Sequence, residues 1–404
     1  MGFLLTVFCQ DSTRPVKNYQ QEDIKDWLVQ VKLMKKKPEK NSFLLVIPVV
    51  ASNPSAGFIF GAGLTYAFKA NGTDEYESTV TSNATYSTKG LLNLNIKSNM
   101  FVFGEHLVLN GDWRYLQNTE TTYGLGTAKY TSAYIGLNGY ETSTDSLGEI
   151  INYNQVRLHE IASWKLWPGL FAGVGLHYDN YYNITDEKVS AGDTTRSFQY
   201  HYSVKHGFNP REYKTMGFSL NFLLDSRDNQ IDAYKGTYAN VNYRVDLTAL
   251  GSAKSSTLLL TEYRSFLSLD EQHRNILAFW LYGDFVVSGN APYLLLPALG
   301  YDQRQRTGRG YTFGRFRGED MLYGETEYRF PISPHTGILG GDLFLNCTST
   351  SDKDNKIDLL EYLRPGYGGG LRVMMDKRSR IRIEVDAGIA GRSVGLYFGA
   401  QETF

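Results

Sequence analysis

From Phe43 onward the chain alternates apolar with polar residues, and its polar positions carry charges of both signs. Ile381, Ile383, Val385 and Ala387 alternate with Arg380, Arg382, Glu384 and Asp386. Ala239, Val241, Tyr243 and Val245 alternate with Asn240, Asn242 and Arg244, and Leu92, Leu94 and Ile96 with Asn93, Asn95 and Lys97. A period of two marks extended strands with two unlike faces. A soluble sandwich can turn a polar face to water in a few strands. Here about sixteen runs read this way, centred near residues 47, 63, 84, 97, 111, 158, 177, 220, 241, 263, 282, 325, 343, 369, 385 and 399. That leaves about 23 residues for each strand with its connection, the spacing of tilted strands that place about 9–11 residues in a membrane.

The connections alternate in length. Short turns recur at Pro168–Gly169, Asp270 to Arg274, Ser333 to Thr336 and Asp376 to Ser379, with longer loops near 118–148, 187–213, 290–318 and 351–360. Short turns on one side and long loops on the other are the pattern of an outer-membrane β-barrel, and an even strand count puts both chain ends on the short-turn, periplasmic side. The ending VGLYFGAQETF keeps Val394, Leu396, Phe398 and Phe404 in one register, which reads as a barrel-assembly signal.

Composition agrees with this class. Lys plus Arg is 41 against 42 for Asp plus Glu, so no basic field points to nucleic acid. The 29 Tyr and 22 Phe suit the aromatic girdles of a barrel whose lumen is wet. No apolar run is long enough for a transmembrane helix, which a barrel does not need. Cys9 and Cys347 are too far apart to suggest a zinc site or a disulfide framework.

Two segments precede the strands. MGFLLTVFCQ reads as the remnant of a secretory signal; Cys9 invites a lipoprotein reading, but Phe8 stands where cleavage requires a small residue. Ile24, Trp27, Leu28, Val31 and Met34 then recur on one helical face, predicting a helix over 22–37 that Pro38 stops. Lys35, Lys36 and Lys37 suit its C-terminal end. Such a helix either docks on the following domain or lies on a membrane surface or partner. The expected division is therefore an N-terminal segment over 1–42, on the periplasmic side, and a barrel domain over 43–404.

The stretch GRGYTFGRFRGEDMLYGETEYRF, from Gly308 to Phe330, carries most of the specific chemistry. Its second half is a strand with Glu325, Glu327 and Arg329 on one face and Leu322, Gly324, Thr326, Tyr328 and Phe330 on the other. Its first half sets Arg309, Arg315 and Arg317 among glycines. A flexible arginine-bearing loop beside inward carboxylates predicts a loop folded back into a polar lumen.

Three features together resemble the BamA/TamA-like bacterial surface antigen family, whose members insert or translocate proteins at outer membranes. Arg309-Gly310-Tyr311, continued by Gly314, Arg315 and Phe316, is similar to the family's loop-six motif. Asp225-Ser226-Arg227-Asp228-Asn229 with Gly236 looks like its periplasmic turn between strands eight and nine. The third is the ending at Phe404, and Tyr123-Gly124-Leu125-Gly126 resembles a glycine-rich segment after strand five.

The resemblance implies that Arg309 reaches into the lumen and pairs with Glu327, or with Glu325 as second choice. A planar guanidinium suits a carboxylate, and removing one member of a shielded pair costs about 3–5 kcal/mol. The family's further Asp on strand thirteen has Asp342 and Asn346 as candidate positions here, with Asn346 nearer the expected place. Asp225, Arg227 and Asp228 read chiefly as turn-stabilising groups, with no third ligand spaced for a metal. Only 42 positions precede the first strand, fewer than one POTRA domain occupies, so the resemblance implies a POTRA-less member.

The enzyme readings are weaker. His177 with Asp179, or His106 with Asp112, could form a lumenal acid–base pair. No serine elbow, histidine cluster with metal spacing or phosphate-loop spacing is present. The sequence thus predicts an all-β, about sixteen-stranded outer-membrane barrel that is not an enzyme and holds no cofactor or metal. Its expected partners are membrane lipids, client outer-membrane proteins or accessory subunits, and no nucleic acid. The resemblance implies protein insertion or transport, with the seam between residues 43–50 and 394–404 as the working part. Pro48 removes a ladder donor there. The alternative is a non-assembling pore, or an accessory subunit of an outer-membrane complex, using the same barrel.

Overall fold

The computed structural model describes residues 21–35, 41–53, 57–69, 76–127, 148–186, 197–391, 393–399 and 404. The signal remnant with Cys9, and parts of the loops predicted at 118–148 and 187–213, lie outside them. Sixteen strands follow one another in the predicted order. They are β1 (Ser42–Asn53), β2 (Gly57–Phe68), β3 (Ser78–Ser87), β4 (Leu92–Val102), β5 (Leu107–Thr122) and β6 (Glu149–Trp167). There follow β7 (Leu170–Asp186), β8 (Tyr213–Asp225), β9 (Gly236–Asp246), β10 (Ser256–Ser268) and β11 (Ile276–Gly289). The last five are β12 (Asp320–Pro331), β13 (Leu339–Thr350), β14 (Arg364–Asp376), β15 (Ile381–Ala390) and β16 (Ser393–Gly399). Among the described residues two α-helices accompany them, α1 (Ile24–Gln30) and α2 (Phe198–Lys205).

Each strand pairs antiparallel with the next, giving one sheet in sequence order from β1 to β16. The alternation decides which face goes where. Val174, Leu176, Leu220, Phe222, Leu281, Leu343, Leu345 and Leu371 are exposed on the outside, while Asp179, Arg244, Glu262, Glu327, Arg329 and Glu384 are buried inside. This inverts the burial of a soluble protein and suits a lipid-facing exterior around a polar interior. The chain forms an outer-membrane β-barrel whose lumen is packed with charged side chains.

Among the described residues no ladder pair joins β1 to β16, and residues 400–403 of the expected seam between 43–50 and 394–404 lie outside them. Ile231, from the connection between β8 and β9, shares an apolar cluster with Ala67 of β2, Ile381 of β15 and the flanking Phe43, Leu45 and Met375. Pro48 sits on β1 opposite Ala62 and faces outward. Its missing N–H falls in the strand that pairs, among the described residues, with β2 alone.

The helix predicted over 22–37 is shorter. Asp23 and Asp26 form a reciprocal capping box that starts α1, and Lys32 takes a left-handed φ of 59° just beyond its end. Its apolar face is covered only in part, since Trp27 and Val31 stay exposed while Ile24 and Leu28 are half-buried. Ion pairs hold it as well: Lys25 to Asp376, and Lys377 to Asp26 at 2.9 Å. Lys25 also lies 4.5 Å over the Phe43 ring at the start of β1.

Candidate functional site

The connection between β11 and β12 is built to project inward. Leu299 donates to the Phe316 carbonyl at 2.9 Å and Gly318 to the Pro297 carbonyl at 3.0 Å, closing the base of a hairpin-like loop. Its tip is shaped by Asp302, whose carboxylate accepts from the backbone N–H groups of Arg304, Arg306 and Thr307 at 3.0, 3.0 and 2.8 Å. An aspartate satisfying several consecutive amides is a common way of fixing a loop tip.

Arg309 lies beyond that tip and is 1% exposed. Its guanidinium donates to Glu325 at 2.5 Å, to Glu327, and to Asp386 of β15 at 2.9 Å. Its plane lies 3.6 Å from the Phe344 ring centroid, an arrangement that suits a cation against an aromatic face. Both glutamates predicted for it are therefore in contact. Asp342 is only at the limit of ion pairing, 4.0 Å away, and Asn346 donates to the Arg309 carbonyl at 2.9 Å rather than serving the guanidinium. Asp386 was not foreseen. Its alternation with Glu384 put it on the polar face, but nothing local says that loop six crosses to β15.

The backbone at this point is as constrained as the side chain. Gly310 has a φ of 105°, and a Cβ there would stand 2.8 Å from the Ala390 Cβ. Gly310 donates to the Tyr397 hydroxyl at 2.8 Å, and the Tyr311 hydroxyl donates to the Pro365 carbonyl at 2.9 Å. Strands β14, β15 and β16 thus grip the three-residue motif on one side while β12 grips its charge.

A second arginine of the loop spans the lumen. Arg317 donates to Glu120 of β5 at 2.6 Å and to the Tyr293 carbonyl at 3.0 Å. Glu120 also accepts from Tyr153 at 2.8 Å and from Tyr301. The loop's base is consequently fixed to β5, beside the strand β4 whose Lys97 meets Gln303 at the loop tip. Alternation alone could place Glu120 on the polar face, but not its pairing with a residue 197 positions away.

The periplasmic connection between β8 and β9 folds upward from below. Asp225 accepts from Arg227 Nε and Nη2 at 2.9 and 2.7 Å, and Asp228 accepts from the backbone of Tyr234 and Lys235 and from Arg380. Gly236 closes the turn at a φ of 104°, where a Cβ would lie 2.3 Å from the Ser226 carbonyl oxygen. These are structural roles, with the carboxylates consumed by the turn. The turn's deepest residue, Asp232, went unnoticed in the sequence. It meets Arg382 at 2.7 Å, Arg329 at 3.3 Å and Arg372 at 3.5 Å.

Two other expectations need correction. Phe398 faces outward, whereas Phe404 is 1% exposed inside, so the two do not share a face. Phe404 stacks on Trp280 at 5.3 Å between centroids, and its carbonyl accepts from Arg329 at 3.2 Å. His177 does not pair with Asp179: its Nε2 meets the Ser219 hydroxyl at 2.7 Å, while Asp179 is engaged by Arg157, His159 and Arg244. His106 sits exposed in the turn between β4 and β5, and Asp112 is taken by Arg114 at 2.5 Å.

The geometry can do one thing clearly. It holds a long outer loop and a periplasmic turn inside one barrel through buried ion pairs. An Omp85 superfamily domain model matches residues 59–385. BamA from Haemophilus ducreyi lacking POTRA domains 1–3 is similar in fold, with a TM-score of 0.55 and 12% identity over 90% of this chain and 70% of that one. CdiB from Acinetobacter baumannii gives a TM-score of 0.53 and 11% identity over 89% of this chain and 60% of its own. CdiB from Escherichia coli gives 0.53 and 10% over 91% and 62%. At such identities the likeness concerns the fold. No curated protein matches the chain in sequence.

Proposed function

The chain belongs to the Omp85 superfamily, and from that premise we propose that it aids the insertion or transport of proteins at the outer membrane. The observation that carries this reading is the seam. The first strand, with Pro48 in it, and the seven-residue β16 have no ladder pair between them among the described residues. A strand edge with unpaired amides and carbonyls is a template on which an incoming strand can add. The loop-six lock at Arg309, Glu327 and Glu325 would keep the lumen filled while the edge works. Lipids, client outer-membrane proteins and accessory subunits are the partners this reading requires.

The test is reconstitution of the full chain in liposomes, with folding of a client barrel followed by its heat-resistant gel mobility. Accelerated folding that is abolished by a disulfide between cysteines placed in β1 and β16 is the expected result. Equal folding rates with the seam free, cross-linked or absent altogether would remove the proposal.

A second reading is an accessory barrel that braces a complex without assembling anything. It draws on the ion pairs that tie Arg309, Arg317 and Asp232 across the lumen. A client folding rate unchanged by the protein, together with a stable co-purifying subunit, would favour it.

A further inference from the structure

The lumen below loop six holds a cavity of about 320 Å³ that borders both edges of the barrel, with Leu45, Ile47 and Val49 of β1 on one side and, on the other, Gly399 of β16 beside the outward-facing Phe398. Its walls differ in character. The inward residues of β1 are apolar, unlike the charged inward rows of β12 and β15. The remaining wall carries five cations, Lys97, Arg227, Arg264, Arg304 and Arg306, against one lining carboxylate, Asp225.

The balance of these charges can be followed pair by pair. Asp225 is engaged by Arg227 at 2.7 Å, and Arg264 is engaged by Glu262 from behind. Asp302, the nearest loop carboxylate, is occupied by the backbone amides of the loop tip. Asp112, on the strand beside Lys97, is held by both Nε and Nη2 of Arg114. The Lys97 ammonium donates to a neutral acceptor, the Gln303 carbonyl. Among the described residues no hydrogen bond or ion pair engages the half-buried Arg306 guanidinium, and the carboxylate that acts on it, Glu384 of β15, does so only beyond ion-pair distance.

We propose that this cavity binds the phosphoryl headgroup of an anionic lipid, with its acyl chains leaving through the β1–β16 seam. A phosphate offers several acceptor oxygens to an ammonium and a forked guanidinium, a stronger pairing than neutral hydrogen bonds give. The apolar inward row of β1, placed at an edge that has no second ladder partner among the described residues, supplies the path that a free anion would not need. The volume accommodates a headgroup and the start of its chains. This inference does not depend on the protein-assembly reading, because it concerns what occupies the lumen beside the seam.

The test uses the purified full chain in neutral detergent, with retained lipid read by native mass spectrometry. Three probes are compared: a short-chain phosphatidylglycerol, the matching phosphatidylcholine, and inorganic phosphate. Phosphatidylglycerol should bind in a one-to-one complex that Lys97→Gln with Arg306→Gln weakens by about tenfold or more, the worth of a lost charge-assisted hydrogen bond. Lys353→Gln, on an outer loop, should leave it unchanged. Heat-modifiable mobility confirms folding of each variant; if the double variant fails it, Arg306→Gln alone repeats the measurement. Equal retention of the two lipids, or retention indifferent to Arg306, would overturn the proposal. Saturation by inorganic phosphate with no dependence on lipid would overturn the assignment to a lipid.

Discussion

Arg329 donates to Glu327 from Nε at 2.7 Å, two residues away on the same inward face of β12, and this pair connects the two ends of the lumen. Glu327 uses its other oxygen to hold Arg309 of loop six. Arg329 uses Nη1 to reach Asp232 of the periplasmic turn at 3.3 Å. A loop entering from outside and a turn entering from below are therefore joined through one short stretch of strand.

Arg309→Ala is the first consequence. It would leave Glu325 and Asp386 as buried carboxylates without their guanidinium and Glu327 with Arg329 alone, a loss of about 3–5 kcal/mol for a shielded pair. The loop should leave the lumen, at least in part, because its charge is what the wall holds. Planar-bilayer conductance is expected to rise, and trypsin should cut at Arg304 or Arg306 in the variant but not in the parent. Unchanged conductance and cleavage would mean that the glycine-lined backbone contacts hold the loop without the arginine.

The network linking the two ends predicts coupling. Arg309→Gln and Asp232→Asn lie on opposite ends of it, joined most directly through Glu327 and Arg329, with Arg372 as a second link to Asp232 at 3.5 Å. Sites sharing such partners depart from additivity by about 0.5–3 kcal/mol. A double-mutant cycle read by urea unfolding in detergent should fall in that range, and it should shrink in an Arg329→Gln background, where only the Arg372 link to Asp232 is left. Additive effects in both backgrounds would show the two ends to be independent.

How much of this could be read beforehand differs by kind of feature. The strands were legible because lipid outside and charge inside force a period of two on every one, so β6, β8 and β15 all carry it. Glu325 and Glu327 could be placed on the inward face by the same rule, and the glycine-rich motif at Arg309 located their partner. Asp386, Glu120 and Asp232 could not be paired, because alternation fixes the face of a side chain and not which loop arrives opposite it. The outward Phe398 and inward Phe404 show another limit: a shared parity in sequence holds a shared face only while the backbone remains one extended strand. Helix α1 was mispredicted in length because its apolar spacing suggested a buried face, whereas Lys25 and Asp26 dock it by charge.

The outer loops carry a pH-dependent contact. Asp354, between β13 and β14, lies 2.9 Å from His206 Nε2 and 3.0 Å from Lys205 Nζ at the end of α2. Burial tends to raise its carboxyl, but the hydrogen bonds from His206 and Lys205 outweigh that and hold it below the usual aspartate range. A carboxyl depressed in the folded state stabilises above its unfolded pKa of about 4 and loses that contribution as pH falls through the lower folded value. Hydrogen exchange of residues 353–357, corrected for intrinsic rates, should show steady protection from neutral pH down to about 4 and a fall below it. In Asp354→Asn the protection should already be weaker at neutral pH, with no acid step. A step in the variant would assign the transition to another group.

Gly388 on β15 separates shape from charge at the anchor. Its backbone is ordinary extended strand, yet a Cβ added there would lie 2.7 Å from the Gly310 nitrogen and 3.0 Å from the Arg309 carbonyl carbon. Both are main-chain atoms of the loop, so no flexible side chain can move aside. Gly388→Ala should therefore displace the Arg309–Gly310 backbone while leaving Arg309, Glu325, Glu327 and Asp386 all present. Overpacking of this kind costs about 1–3 kcal/mol, and the displaced guanidinium should also lose part of its contact with Asp386, two residues away on the same strand. Trypsin sensitivity at the loop tip and a lower unfolding midpoint in urea are expected together. Gly391→Ala, where the space is open and only a φ of 59° is strained, is the matched control and should show the smaller midpoint shift without loop cleavage. If the two glycine variants behave alike, the close approach of loop six to β15 is not what seats the arginine.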